Sequence, residues 1–425
     1  MNKRFLIFFS LIILTLALIG GIIFWVKIND RNDQPVIPTP AETPLTGFPV
    51  SDPNTNPEPA PMDGPGEPPT ATPDVPPAIT PTGSAAATVL TKLSPTPVSG
   101  AVLLFRTSST TPATIIYLEE ATGNLFRTES DGRNNQKLTE NSLPRVARAW
   151  WGRSRLAKSD TLTLIAQYLD HQEAVVTLRG TYNLLATSSA ELLGNAIPGV
   201  AAHGLAIAPA GDRFFALTNT PTGVNGAITE TSTGKVRTIF TSHFKNWTVS
   251  WPAPAIITLM PRAAAGVSGT LYFLNPTSGV LTRVLAGELG LTTLVNPAGT
   301  KVLYARGLSA LQIYSPRDNK TTSLTIDTFP EKCVWAKDNV TIYCAVPNDP
   351  AEAQYPDQWW SGEVSFNDSF WQVNTDTGEA KIVFANNSAG ANRRLDAINL
   401  ILDETGERLI FTDRSTGELW SLPSF

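Results

Sequence analysis

Two cysteines and three histidines in 425 residues leave little material for a metal centre. The histidines (171, 203 and 243) stand far apart and far from Cys333 and Cys344, so no ligand cluster forms along the chain and no metal or other cofactor is expected. Charge is scarce too, at 16% of residues, with 32 Lys+Arg against 37 Asp+Glu and a net of -5. The basic residues are scattered, which removes the electrostatic footprint of a nucleic-acid partner. No G-x-S-x-G elbow, phosphate-binding Walker loop or H-E-x-x-H helix occurs. Amphipathic stretches of three helical turns are also missing, which disfavours a parallel sheet with crossover helices.

What is present begins at the N-terminus. After MNKR, an uncharged run of 22 residues extends from Phe5 to Val26, long enough to cross a hydrocarbon core of about 30 Å. Lys3 and Arg4 precede it, so the positive-inside bias places the N-terminus in the cytoplasm and the rest of the chain outside. The run ends in bulky Ile-Ile-Phe-Trp-Val rather than small residues, favouring a retained signal anchor (1–28) over a cleaved leader. The expected location is the cell membrane, as a single-pass protein. Between Gln34 and Pro97 lie 18 of the 34 prolines, with Thr, Ala and acidic residues and few apolar side chains to offset the entropy of ordering. Residues 29–98 are therefore expected to form a disordered, Pro-rich tether.

From residue 99 to 425 the pattern changes to short runs of Val, Ile, Leu, Tyr, Phe and Thr, bounded by Gly, Asn, Asp, Ser and Pro, as in an all-β domain of many short strands. One hairpin recurs: IAPAGDRFFALT at 207–218, VNPAGTKVLYAR at 295–306 and LDETGERLIFTD at 402–413. The first two glycines are 88 residues apart, and WTVSWPAPAIITLM at 247–260 falls midway, giving a unit of about 40–45 residues. That period with four strands per unit predicts a β-propeller. Unit starts near Val102, Val146, Gly204, Asn246, Leu291, Glu331 and Ala397 predict seven blades, with six or eight left open. The last unit stops after three strands. The run AVLLFRT (101–107) either closes it or forms the inner strand of the first blade.

The hairpins IAPAGDRFFALT and VNPAGTKVLYAR resemble the S-P-D-G-x-x-I-A-F hairpin of WD40-like propellers of the TolB type. Pro209, Gly211, Pro297 and Gly299 match, while Ala210 and Ala298 stand where Asp is preferred. Anchor, tether and repeat together are similar to membrane-anchored bacterial propeller proteins. The resemblance implies a fold and no reaction.

Cys333 and Cys344 flank a hairpin turn around Asp338 and Asn339 and fall opposite each other, so they form either a disulfide or two buried thiols. One segment departs from the repeat: PNDPAEAQYPDQWWSGEVSFND (347–368), inserted between the second and third strands of the sixth unit. Its Tyr355, Trp359 and Trp360 are candidate contacts for a protein or glycan partner, or else fold back and plug the ring. Trp150, Trp151, Trp251 and Trp335 end inner strands and are expected in the core. The sequence points to a membrane-tethered extracytoplasmic binding or scaffolding propeller without catalytic residues. A hydrolase-type enzyme with an axial site, or a structural envelope component, are the alternatives.

Overall fold

A computed structural model describes residues 90–423 except 105–111, 141–142, 144, 154–160, 185–192, 387–393 and 404. The expected anchor and nearly all of the expected tether lie outside the described residues. Among the described residues no helix is long and apolar enough to cross a membrane.

The strands form seven separate four-stranded antiparallel sheets. Six of them are consecutive in the chain, spanning 98–137, 146–197, 200–242, 247–289, 291–328 and 333–384. Inner strands begin at Val98, Val146, Val200, Trp247, Leu291 and Cys333, each within a few residues of the position read from the repeat. The protein is a seven-blade β-propeller.

The recurrent hairpin glycine has a conformational cause. Gly211, Gly299 and Gly406 all have φ between 70° and 75°, where a Cβ is strained. At Gly299 an added Cβ would also lie 2.4 Å from Ile256 Cδ1 of the preceding blade. The residue opening the turn matters equally: Asn296 Oδ1 accepts the amides of Thr300 and Lys301, and Asp403 Oδ1 accepts those of Glu407 and Arg408. These side-chain caps mimic a backbone turn. The sixth blade replaces the glycine with Asn339 at φ 59°, so the motif fades there although the hairpin persists. NTDTGE at 374–379 is capped in the same way, Asn374 Oδ1 accepting the amides of Asp376 and Thr377.

The seventh blade holds the strands Ala397–Leu402, Arg408–Asp413 and Leu419–Pro423 and takes its fourth from the N-terminal side. Of the two readings of AVLLFRT, the structure selects the inner strand of the first blade, since Val98–Leu103 pairs with Thr114–Glu119. The closing strand is Thr91–Lys92, inside the segment assigned to the tether, with Thr91 opposite Ser421 and Lys92 opposite Trp420. The sequence TK carries no strand pattern, which is why it was not legible. Leu93, 3% exposed, follows it into a cluster with Ile115, Tyr117, Ile410 and Leu419, joining the first and last blades.

Cys333 and Cys344 are register partners on the inner and second strands of blade six and are joined by a disulfide. Trp251 and Trp335 are buried, while Trp150 and Trp151 are half-buried.

Ring closure through residues 91–93 yields a measurable expectation. Leu93→Ala in the full chain should lose about 2–5 kcal/mol in denaturant unfolding, the usual cost of emptying such a site. A chain starting at residue 99 should melt lower than one starting at 82. Equal midpoints would refute closure by this strand.

Candidate functional site

The inserted segment packs on the face of the ring where inner strands begin. Its helix, Asp357–Ser361, ends at Gly362 in the left-handed conformation and is followed by Phe366 and Asp368 at the start of the third strand. Trp359 is 2% exposed and lies stacked on Phe329 with ring centroids 4.9 Å apart, and Phe366 contacts both rings, at 5.7 Å from Trp359 and 6.1 Å from Phe329. Tyr355 meets Phe329 edge-on, and Leu308 of blade five and Ile398 of blade seven complete the cluster. The segment thus folds back onto the ring. Trp359, a candidate partner contact by sequence, is a core residue; Tyr355 and Trp360 are half-buried.

The insertion also reaches neighbouring blades. Asp357 Oδ2 accepts the amide of Ala265 in blade four at 2.6 Å. Tyr355 sets its backbone against blade five so closely that a Cβ on Gly307 would come within 2.9 Å of its carbonyl oxygen. Gly307 is the residue type that permits this approach, at φ 59°.

Beneath Trp359 lies a fully buried ion cluster. Lys332, at 0% exposure, directs its ammonium to Asp368 Oδ2 at 2.8 Å, Asp396 Oδ1 at 2.6 Å and the carbonyl oxygen of Ala397 at 3.0 Å. An ammonium has three donors, and all three are used. Asp396 also receives the Trp359 indole N–H at 2.9 Å and the Phe366 amide at 3.3 Å, while Asp368 Oδ2 receives the Ala397 amide at 2.7 Å. One lysine therefore ties its own blade, the insertion and blade seven together. Two carboxylates share one cation, and the excess shows at Asp368, whose pKa is pushed up to about 6, chiefly by burial, with Lys332 opposing and Asp396 adding to the rise. Its buried Oδ1 has no hydrogen-bond partner among the described residues, the natural seat for that proton.

A second layer faces water along the axis. Trp360 donates its indole N–H to Glu331 Oε2 at 2.9 Å, and its ring carries the Arg262 guanidinium 5.2 Å from the centroid. Arg414 of blade seven donates to the Trp360 carbonyl at 3.1 Å. Arg148 of blade two and Arg262 of blade four both act electrostatically on Glu331 of blade six, so side chains from across the ring converge here. Glu331, Arg148 and Arg262 each present surface to solvent while protein crowds around Glu331 and Arg148. Enclosure raises the Glu331 pKa, opposed by Trp360 and by the surrounding cations, and lowers that of Arg148.

Sequence reasoning located the insertion and its aromatics. It did not identify Lys332, Asp368, Asp396, Glu331, Arg148, Arg262 or Arg414, which lie up to 266 positions apart and meet only through ring closure. The available local signal was the Glu331-Lys332 pair at the mouth of an otherwise apolar inner strand. His171 and His243 are exposed and stand apart from this cluster, and no group of three His, Cys, Asp or Glu suited to a metal occurs among the described residues.

Removing the shared cation should be costly. Lys332→Met leaves two buried carboxylates facing each other and is expected to lose about 3–5 kcal/mol and to open the 347–368 segment to protease; unchanged cleavage would refute the tie. Asp368 gives a pH signature. Its folded pKa of about 6 exceeds the value near 3.9 of an unfolded aspartate, so the folded state binds the proton more tightly. Its contribution to stability is thus greatest below pH 4 and falls as pH rises through 6. Wild-type melting should rise on acidification from pH 7 to 5, and Asp368→Asn should flatten that slope; parallel slopes would exclude Asp368 as the titrating group.

No protein-family model matches this sequence, and no curated protein matches it either. Solved structures similar to it include an oligogalacturonate lyase in complex with manganese, at 13% identity and TM-score 0.52, covering 80% of this chain and 94% of that one. A puromycin hydrolase is 12% identical at TM-score 0.48, covering 74% of this chain; the chain spans 50% of the hydrolase's length. TolB from Acinetobacter baumannii is 12% identical at TM-score 0.36, covering 76% of this chain and 79% of that one. At these identities the likeness is one of fold. The chain is a seven-blade β-propeller, and TolB is among the propellers it resembles.

Proposed function

We propose that this chain is a binding or scaffolding propeller, held outside a membrane by its N-terminal segment, that presents the insertion-bearing face to a protein partner. The observation that carries this reading is the locked insertion. Trp359 and the Lys332 cluster fix residues 347–368 over the start of the inner strands, producing a stiff platform whose exposed residues include Asp349, Glu352 and Glu363. Pre-organised surface lowers the ordering cost of association. The apolar run Phe5–Val26 with Lys3 and Arg4 before it supports the membrane attachment. The Cys333–Cys344 disulfide fits an oxidising compartment.

A protein partner is favoured over a glycan because the insertion's rings are already covered. Trp359 packs in a three-ring cluster with Phe329 and Phe366, Trp360 carries Arg262, and Tyr355 packs on Phe329 and Phe366. Catalysis by Asp368 or Asp396 is disfavoured because both are at 0% exposure with Lys332 between them. Glu331 favours a second reading, an axial-site enzyme: a solvent-reachable carboxyl with a raised pKa is the type of group that a general acid requires.

The test is a photo-crosslinking residue at Glu352 in the full chain in its native membrane, with the same probe at exposed Val280 on the outer rim as the comparison. A discrete protein adduct at 352 and none at 280 is expected. Identical patterns at both sites, or no adduct at 352, would overturn the platform reading. A turnover abolished by Glu331→Gln would favour the enzyme.

A further inference from the structure

We infer that the rim opposite the insertion, where the outer strands of blades three, four and six begin, docks on an anionic lipid surface. This rests on the membrane attachment proposed above and gives that attachment a second contact. The outer strands Val236–Ser242, Leu281–Leu289 and Ala380–Phe384 start at the end of the ring where inner strands finish. Each opens on large apolar side chains left in solvent: Val236 is 62% exposed, Val280 59%, Leu281 40% and Ile382 51%. Each also has a base at its side. Val236 stands between exposed Lys235 and Arg237, Leu281 two places before exposed Arg283, and Ile382 directly after exposed Lys381. The exposed apolar residues at the insertion end keep different company, since Leu289 follows Glu288 and Val175 comes two places after Glu173. Among the described ones there, only Phe244 has basic neighbours, and its ring packs edge-on against Trp247 at 5.3 Å.

The starts of these strands form a continuous border. Arg237 donates from Nη1 to the Thr277 carbonyl of blade four at 3.1 Å and from Nη2 to that of Pro276. Gly279, at φ 74°, brings the same turn so close to blade three that a Cβ there would lie 3.1 Å from the Ile239 carbonyl oxygen. That turn leads straight into Val280, so the apolar residues of the two blades share one edge. Blade five adds exposed Arg317 and Lys320 before the border reaches Ile382. Over 231–239, 275–284, 315–323 and 374–383, six exposed basic residues stand against three exposed acidic ones, Asp318, Asp376 and Glu379. Asp376 is paired with Lys301 at 2.5 Å, which leaves two. In a chain with a net charge of -5, this border is a local inversion of sign.

Branched apolar side chains with ammonium and guanidinium groups beside them match the boundary between acyl chains and lipid phosphates, the former entering it and the latter reaching the headgroups. The course of the chain names the same occupant. The closing strand begins at Thr91, whose methyl would lie 2.9 Å from a Cβ on Gly132, in the turn before the outer strand of blade one. The N-terminal side of the chain thus enters the ring at this end, and it carries the apolar run Phe5–Val26. Docking by this rim turns the insertion-bearing face away from the lipid.

The experiment reconstitutes the full chain in phosphatidylcholine vesicles with or without phosphatidylglycerol, bearing a fluorophore at Val280→Cys or, on the opposite face, at Val267→Cys; the native cysteines are held in their disulfide. Spin-labelled lipid quenches the fluorophore on contact. Quenching is expected at 280 and not at 267, only with phosphatidylglycerol present, and should fade as salt is raised. Lys235→Gln, Arg283→Gln and Lys381→Gln should each lower the ratio of docked to undocked chains by about fivefold, the usual effect of one basic residue at an anionic surface. Equal quenching at 280 and 267, no quenching at 280 with phosphatidylglycerol present, or quenching undiminished in the triple Gln variant would each overturn the inference. A discrete protein adduct at 280 in the native membrane would overturn it too, making the rim a protein interface. Chains that float with the vesicles without quenching at 280 would sink the docking and leave the attachment standing. Chains that do not float with them would sink the attachment as well.

Discussion

The arrangement on the functional face depends on one buried cation. Lys332 stands at the point where the last residues before an inner strand, the end of an insertion and the first residues of the next blade come together, and it satisfies an oxygen from each side. A lysine carried into an apolar centre is costly unless every donor is met. Here the need to meet them dictates where Asp368 and Asp396 must be, and hence how blades six and seven are set against each other. The aromatic cluster of Phe329, Trp359 and Phe366 is built around that demand, with the ammonium 5.2 Å from one ring centroid and 5.1 Å from another.

The same constraint decides the role of the insertion. A segment of some twenty residues with five-residue helical content has little intrinsic stability. It is ordered because Trp359 places its N–H on Asp396 and because Tyr355 and Asp357 reach blades five and four. The outcome is two layers with different work: a dry, charge-balanced layer that fixes position, and above it a wet layer of Arg148, Arg262, Glu331 and Trp360 that meets solvent. Aromatic residues that look in sequence like a protruding contact loop become the mounting of a cluster of charged side chains.

Much of the fold was legible because it is written locally. A hairpin glycine with positive φ, an Asn or Asp that caps the turn, and a repeat near 43 residues all act over a few positions, so each copy can be recognised by itself. Blade starts at Val146, Leu291 and Ala397 coincide with those read from the sequence. The closing strand was missed because Thr91–Lys92 is strand only by virtue of its partner, Leu419–Pro423. The candidate site was largely illegible for a related reason. Arg148, Arg262, Glu331 and Asp396 have no spacing rule; they are neighbours because a ring brings inner-strand starts to one axis. Trp359 and Trp360 are adjacent in sequence and were expected to act alike, yet helical geometry turns one into the core and the other to Glu331 and Arg262.

The manner of ring closure has a mechanical meaning. Both ends of the domain enter the same blade, and the N-terminal end is stitched there by two residues of ladder, the buried Leu93 and Ser94 bonded to Leu419, and the Lys92–Glu418 ion pair, whereas every other inter-strand ladder in that blade is longer. Any pull arriving along the chain from the N-terminal side meets this short clasp first. The joint nearest the pull is therefore the first to be loaded, and its release would leave the six consecutive blades and the Lys332 cluster intact.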